Sequence, residues 1–120
     1  MSKKLTQNEI IKIAVKALDD KKAKDIEIIE VEKITTIADF FVIATGSSST
    51  QVKALANEVE YKLTEQGLEP HHIEGKSTGW ILLDYDGVIV HVFHSEMREF
   101  YDLSRHWTDG AKHDLEKYLG

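Results

Sequence analysis

Among its 120 residues the chain has no cysteine and a single proline. Without thiols, a disulfide framework and a thiolate metal site are both excluded, and a reducing compartment, the cytoplasm, is the expected setting. Long apolar runs are missing as well. The longest, Phe40 to Ala44, is far too short to cross a bilayer, and the opening MSKKLTQNEI has two lysines with no apolar stretch behind them, unlike a signal peptide. Basic clusters are scarce too: Lys21, Lys22 and Lys24 stand among Asp19, Asp20 and Asp25, which suits the solvated end of a helix. With a net charge of -6 the chain lacks the basic face that phosphate neutralisation requires, so nucleic acid is not expected as its main partner. No repeat, low-complexity tract or long linker divides it, and 42% apolar residues fit one globular domain over 1–120.

Aromatic side chains and excess acid gather in one block. Trp80, Tyr85, Phe93, Phe100, Tyr101 and Trp107 are six of the ten aromatic residues, and residues 69–109 set three Lys/Arg against eight Asp/Glu, whereas 1–68 set ten against eleven. An acidic surface with aromatic anchors and an occasional Arg has the character of a protein-recognition face, because Tyr, Trp and Arg dominate interface energetics and the field steers a basic partner. Burial in the core is the competing role. It is favoured for Phe93, flanked by valines, while for Trp80, Tyr101 and Trp107 core and interface weigh evenly.

Thr6-Gln7-Asn8-Glu9 forms a capping box with Leu5 and Ile10 as its hydrophobic staple, so a helix starts near residue 7 and buries Ile10, Ile13, Ala14, Ala17 and Leu18. Ile26 to Val31 predicts a first strand. Phe40 to Thr45 is continuously apolar up to its threonine, as in a strand covered on both faces, which calls for helices packed on the sheet. Gly46 to Thr50 makes a turn and N-cap, followed by a helix with Val52, Leu55, Ala56, Val59 and Leu63 inward and a stop at Gly67. Pro70 to Ile73, Gly79 to Leu83 and Val88 to Phe93 complete five strands, the last two joined by a hairpin across Asp84-Tyr85-Asp86-Gly87. A short helix capped by Ser95 runs through Leu103, and a final amphipathic turn or helix spans about Thr108 to Leu119. The expected class is α/β, a mixed five-stranded sheet flanked by helices on its faces.

Two arrangements invite an enzymatic reading. Gly46-Ser47 at a helix N-terminus with Asp84-x-Asp86 has the parts of a nucleotidyltransferase site, yet the carboxylates span a hairpin tip rather than one strand face, and no Walker-type lysine stands near the turn. Ser47, His91 and Asp84 can be assembled on paper into a hydrolytic triad, but no nucleophile-elbow pattern supports it. The six histidines offer no local chelate, since His71 and His72 point to opposite faces of a strand, as do His91 and His94. No catalytic residue, metal or cofactor is expected.

The blocks Asp39 to Val52 (DFFVIATGSSSTQV), Trp80 to Tyr85 (WILLDY), His91 to Phe93 and Arg98 to Leu103 (REFYDL), in this order, closely resemble the ribosomal silencing factor (Iojap) family. The match runs from about residue 7 to Trp107. The resemblance implies a nucleotidyltransferase-like fold without its chemistry. It also implies a translation repressor that docks on the large ribosomal subunit through its ribosomal protein fourteen, blocks joining of the small subunit when nutrients are scarce, and forms homodimers when free. By family match Trp80, Asp84, Tyr85, His91, Arg98, Tyr101 and Trp107 belong to the binding face, with the hairpin presenting Asp84 and Asp86. For Arg98 an intrachain pair with Asp102 is the competing role. A nucleotide-binding transferase-like protein and an adaptor for another basic protein are the alternative functions.

Overall fold

The computed structural model describes residues 5–33, 36, 38–75, 79–85 and 87–95, and the backbone of residues 111 and 112. Its elements follow in the order α1 (Gln7–Asp20), β1 (Lys24–Glu30), β2 (Phe40–Gly46), α2 (Ser49–Glu65), β3 (His72–Glu74), β4 (Trp80–Tyr85), β5 (Val88–His94) and β6 (Ala111–Lys112). The strands form one mixed sheet in the order β3-β4-β5-β2-β1-β6. Among the described residues only β2 and β5 pair in parallel; the other neighbouring strands pair antiparallel.

Local signals in the sequence start both helices. The Thr6 hydroxyl accepts from the Glu9 N–H at 3.1 Å and Glu9 Oε1 accepts from the Thr6 N–H at 3.0 Å, closing the capping box that opens α1. Ser48 caps α2 by accepting from the Gln51 N–H. Gly67 adopts a positive φ of 87° just past the α2 C-terminus, where a Cβ would be strained.

The two described helices pack together on one face of the sheet. Ile10, Ala14 and Leu18 of α1 and Val52, Leu55 and Val59 of α2 close over Val42, Val90, Ile81 and Leu83. The other face carries a second apolar cluster, Ile29, Phe41, Ile43, Ile89 and Phe93, with Trp80 and Leu82 half-buried at its margin. Burial on both sides explains why all seven β2 residues are inside, as its continuous apolar run predicted.

The five expected strands are all present, with ends shifted by up to two residues. A sixth, β6, pairs with Ile29 and Glu30 at the far edge, in the stretch where the sequence predicted a turn or helix. The expectation of helices on both faces is met on one face among the described residues; the helix predicted over 95–103 lies outside them except for Ser95.

Candidate functional site

Strand β4 sorts its side chains by parity. Ile81, Leu83 and Tyr85 enter the helix-side core, while Trp80 and Leu82, and with them the position of Asp84, belong to the opposite face. The register of the hairpin then places Trp80 opposite Phe93, Leu82 opposite His91 and Asp84 opposite Ile89. Trp80 stacks on Phe93 with ring centroids 4.9 Å apart, and its indole N–H donates to Nδ1 of His91 at 3.1 Å. The rings of Phe41 and His91 meet edge to face, their centroids 4.8 Å apart. Glu74, Gly75, Trp80 and Leu82 border a cavity of about 240 Å³ at this margin of the sheet. The arrangement offers an aromatic wall, an aliphatic floor and an acidic rim, which suits a partner's basic side chain with an apolar stem.

His91 is 4% exposed. Burial lowers its pKa to about 4, because the charged ring would lose its hydration, so the imidazole is neutral at pH 7. With Nδ1 accepting from Trp80, the ring proton sits on Nε2, which finds no partner among the described residues. His91 therefore positions Trp80 rather than meeting a partner itself.

Tyr85, carried to the binding face by the family resemblance, stands elsewhere, and Asp84 stands on that face but not at the place expected for it. Tyr85 is fully buried against the helices, five residues along β4 from Trp80 and thus on the opposite face, so it is out of reach of a partner on the Trp80 side. Asp84 is not at the hairpin tip: it lies within β4, between His72 of β3 and Ile89 of β5, because β4 runs on to Tyr85, which pairs with Val88. Asp86, Arg98, Tyr101 and Trp107 lie outside the described residues. Leu82 and Glu74 are members of the candidate site that sequence reasoning missed. The strand alternation shared with Trp80 marks Leu82, whereas only the pairing of β3 with β4 brings Glu74 there.

The nucleotidyltransferase-like constellation comes apart in space. Gly46 pairs with His94 while Asp84 pairs with Ile89, five residues further down β5, so the two are about 16 Å apart along the strands and on opposite sides of β5. The Ser47 N–H and hydroxyl, which a phosphate would need, are taken by Gln51 Oε1 at 2.5 and 2.8 Å, and Gln51 Nε2 reaches back to the carbonyls of Lys21 and Lys22 at the end of α1. Gly46 serves packing: a Cβ there would stand 2.9 Å from Val52 Cγ2. Among the described residues no group of three or more His, Asp or Glu is arranged to hold a metal ion.

Comparison with known proteins agrees with this fold. The family profile described as "Ribosomal silencing factor during starvation" matches residues 4–119. The chain is 40% identical over 113 residues to ribosomal silencing factor RsfS of Halalkalibacterium halodurans, covering 93% of this chain and 97% of that protein. A crystal structure of a Chromobacterium violaceum protein superposes with a TM-score of 0.83 at 40% identity, covering 92% of each chain. A mouse protein named for mitochondrial assembly of the ribosomal large subunit is 31% identical over 102 residues, 82% of this chain and 45% of that one.

Proposed function

The chain belongs to the ribosomal silencing factor family, and from that membership we propose that it is a cytoplasmic translation repressor which docks on the large ribosomal subunit, through that subunit's ribosomal protein fourteen, and blocks joining of the small subunit. Membership by itself carries the regulatory part, since silencing of the ribosome is what the family description names. The large subunit is favoured by the mouse relative, whose name attaches it to assembly of that subunit. Ribosomal protein fourteen is the partner the family resemblance implies.

The observation that carries the docking is the sheet margin at Trp80, where a half-buried indole held by His91 and Phe93 stands beside Leu82, Glu74 and the position of Asp84. A pre-positioned aromatic loses little side-chain freedom on binding, and acidic groups around it select a basic protein. An acidic chain is repelled by ribosomal RNA, so protein contact must supply the affinity. Inhibition then needs no catalysis, only bulk at the surface where the subunits meet. The free protein is a homodimer in this reading, covering part of the same apolar margin; light scattering that gives a monomer at every dilution would count against it.

The test is co-sedimentation with separated subunits, followed by a joining assay. The protein is expected with the large subunits alone, and added in excess it lowers the fraction of whole ribosomes. An unchanged fraction of whole ribosomes overturns the proposal.

A further inference from the structure

On the helix side, away from Trp80, a cavity of about 260 Å³ opens between α2 and the β3–β4 edge of the sheet. One wall is Lys53, Asn57 and Glu60 of α2; the other is Ile73, Ile81 and Leu83 of the strands. The cavity exists because position 56, the buried residue of α2 that faces this space, is alanine, where the other inward positions of the helix are Val52, Leu55, Val59 and Leu63. Its volume falls below the range of drug-sized or nucleotide pockets and suits a molecule of roughly ten non-hydrogen atoms.

The lining fixes the chemistry of such a molecule. The strand wall is wholly aliphatic and takes a branched hydrocarbon body. The helix wall carries one cation, one amide and one anion at positions i, i+4 and i+7, so they share a face, with Lys53 and Glu60 two turns apart. None of the three makes a hydrogen bond or ion pair with another described residue. An anionic ligand gains from Lys53 and is repelled by Glu60; a cationic one meets the reverse. Only a molecule bearing both charges gains from both.

A second observation comes from Tyr85, the next residue after Leu83 on the same face of β4. Its hydroxyl is fully buried and has no hydrogen-bond partner among the described residues, which is uncommon in a folded core. Burial first, and the charge of Glu60 second, push its pKa up, so the hydroxyl stays protonated.

We propose that this cavity is a binding site for a small aliphatic zwitterion, an α-amino acid of the leucine class, with its carboxylate toward Lys53, its ammonium toward Glu60 and its side chain on Ile73, Ile81 and Leu83. The inference goes beyond the silencing reading and does not depend on it, because the site lies on the opposite face of β4 from Trp80.

The test uses the whole chain without ribosomes. Leucine, 4-methylvalerate (the same body with the anion alone) and isoamylamine (the cation alone) are titrated up to 10 mM, followed by amide NMR shifts at Ala56, Ile73 and Leu83 and by thermal melts. Leucine should shift these amides saturably and bind at least tenfold more tightly than either singly charged analogue. Ala56→Leu fills the cavity and should abolish binding while keeping a cooperative melt. Lys53→Gln, at an exposed position, should reduce leucine binding to the level of isoamylamine. The proposal is overturned if 10 mM leucine moves none of these amides, if either analogue binds as well, or if a folded Ala56→Leu or Lys53→Gln variant binds leucine like the parent. Any of these results leaves the subunit-joining assay unaffected.

Discussion

The indole N–H of Trp80 donates to Nδ1 of His91 diagonally across the β4–β5 pair, 3.1 Å away, and the histidine that receives it is almost wholly enclosed. The bond requires a neutral ring with its proton on Nε2. A second proton on Nδ1 would turn the acceptor into a donor facing a donor, so the orientation of the exposed edge of Trp80 is tied to the charge state of a core residue.

That tie sets a pH dependence. In the unfolded chain His91 takes its proton near 6.5, in the folded one only near 4, because burial disfavours the cation. The unfolded state therefore binds more protons between these values. The stabilisation is complete above about 6.5 and disappears as pH falls from there through about 4, a loss of about 3 kcal/mol. Urea unfolding of the parent and His91→Phe at pH 7.5, 6, 5 and 4 checks it: the parent's stability relative to the variant should fall toward acid, and a difference that stays constant with pH would refute the assignment.

Trp80 separates binding from folding. Trp80→Phe keeps an aromatic ring against Phe93 but leaves Nδ1 of His91 without its donor, so the fold should lose about 1 kcal/mol. Trp80→Ala should weaken binding to the large subunit by about 2 kcal/mol or more if the indole is an anchor. Melts and subunit titrations of both variants, compared side by side, decide it; binding that falls only in step with stability would make Trp80 a core residue.

Charge at this margin should act on encounter. Glu74→Lys with Asp84→Lys is expected to slow association with the large subunit and flatten its salt dependence, while the dissociation rate changes less. Stopped-flow association at several salt concentrations measures this directly, and an on-rate indifferent to the reversal contradicts an electrostatically steered face.

The α2 cap is a single residue. Ser48 accepts from the Gln51 N–H, and Ser49 is the first residue of the helix, so Ser48→Ala should cost about 1 kcal/mol and Ser49→Ala much less. Gly46→Ala, two residues earlier, forces a Cβ to within 2.9 Å of Val52 Cγ2 and 3.1 Å of the Val52 nitrogen, and overpacking of this kind costs about 1–3 kcal/mol. Val52→Ala in the same chain should recover only part of that loss, because the backbone contact remains.

Elements with strong local signals were legible before the fold was known. The capping box of α1, the two-sided burial of β2 and the inward face of α2 each follow from neighbours in sequence and stand as expected. The candidate site was legible only in part. Trp80 and Tyr85 are five residues apart on one strand and so must point to opposite faces, a parity that the motif resemblance, which treats residues as letters in a row, does not carry. The Trp80–His91 bond depends on hairpin register, in which Tyr85 pairs with Val88 and Trp80 with Phe93. Strand β6 is two residues held by pairing with β1, and no periodicity announces a strand so short.

The parallel ladder at the centre of the sheet pairs Phe40 with Val88 and Gly46 with His94, a constant separation of 48 residues. Contacts so far apart form late, because closing the intervening chain opposes them until enough surface is buried. During synthesis the apolar strand Phe40–Gly46 therefore emerges with one edge unpaired and waits for β5 to be made. At about 5–20 residues per second that interval lasts roughly 2–10 s. A pause in translation anywhere between residues 47 and 94 prolongs the life of an exposed, sticky edge and raises the chance that nascent chains aggregate, without altering a single contact of the finished protein.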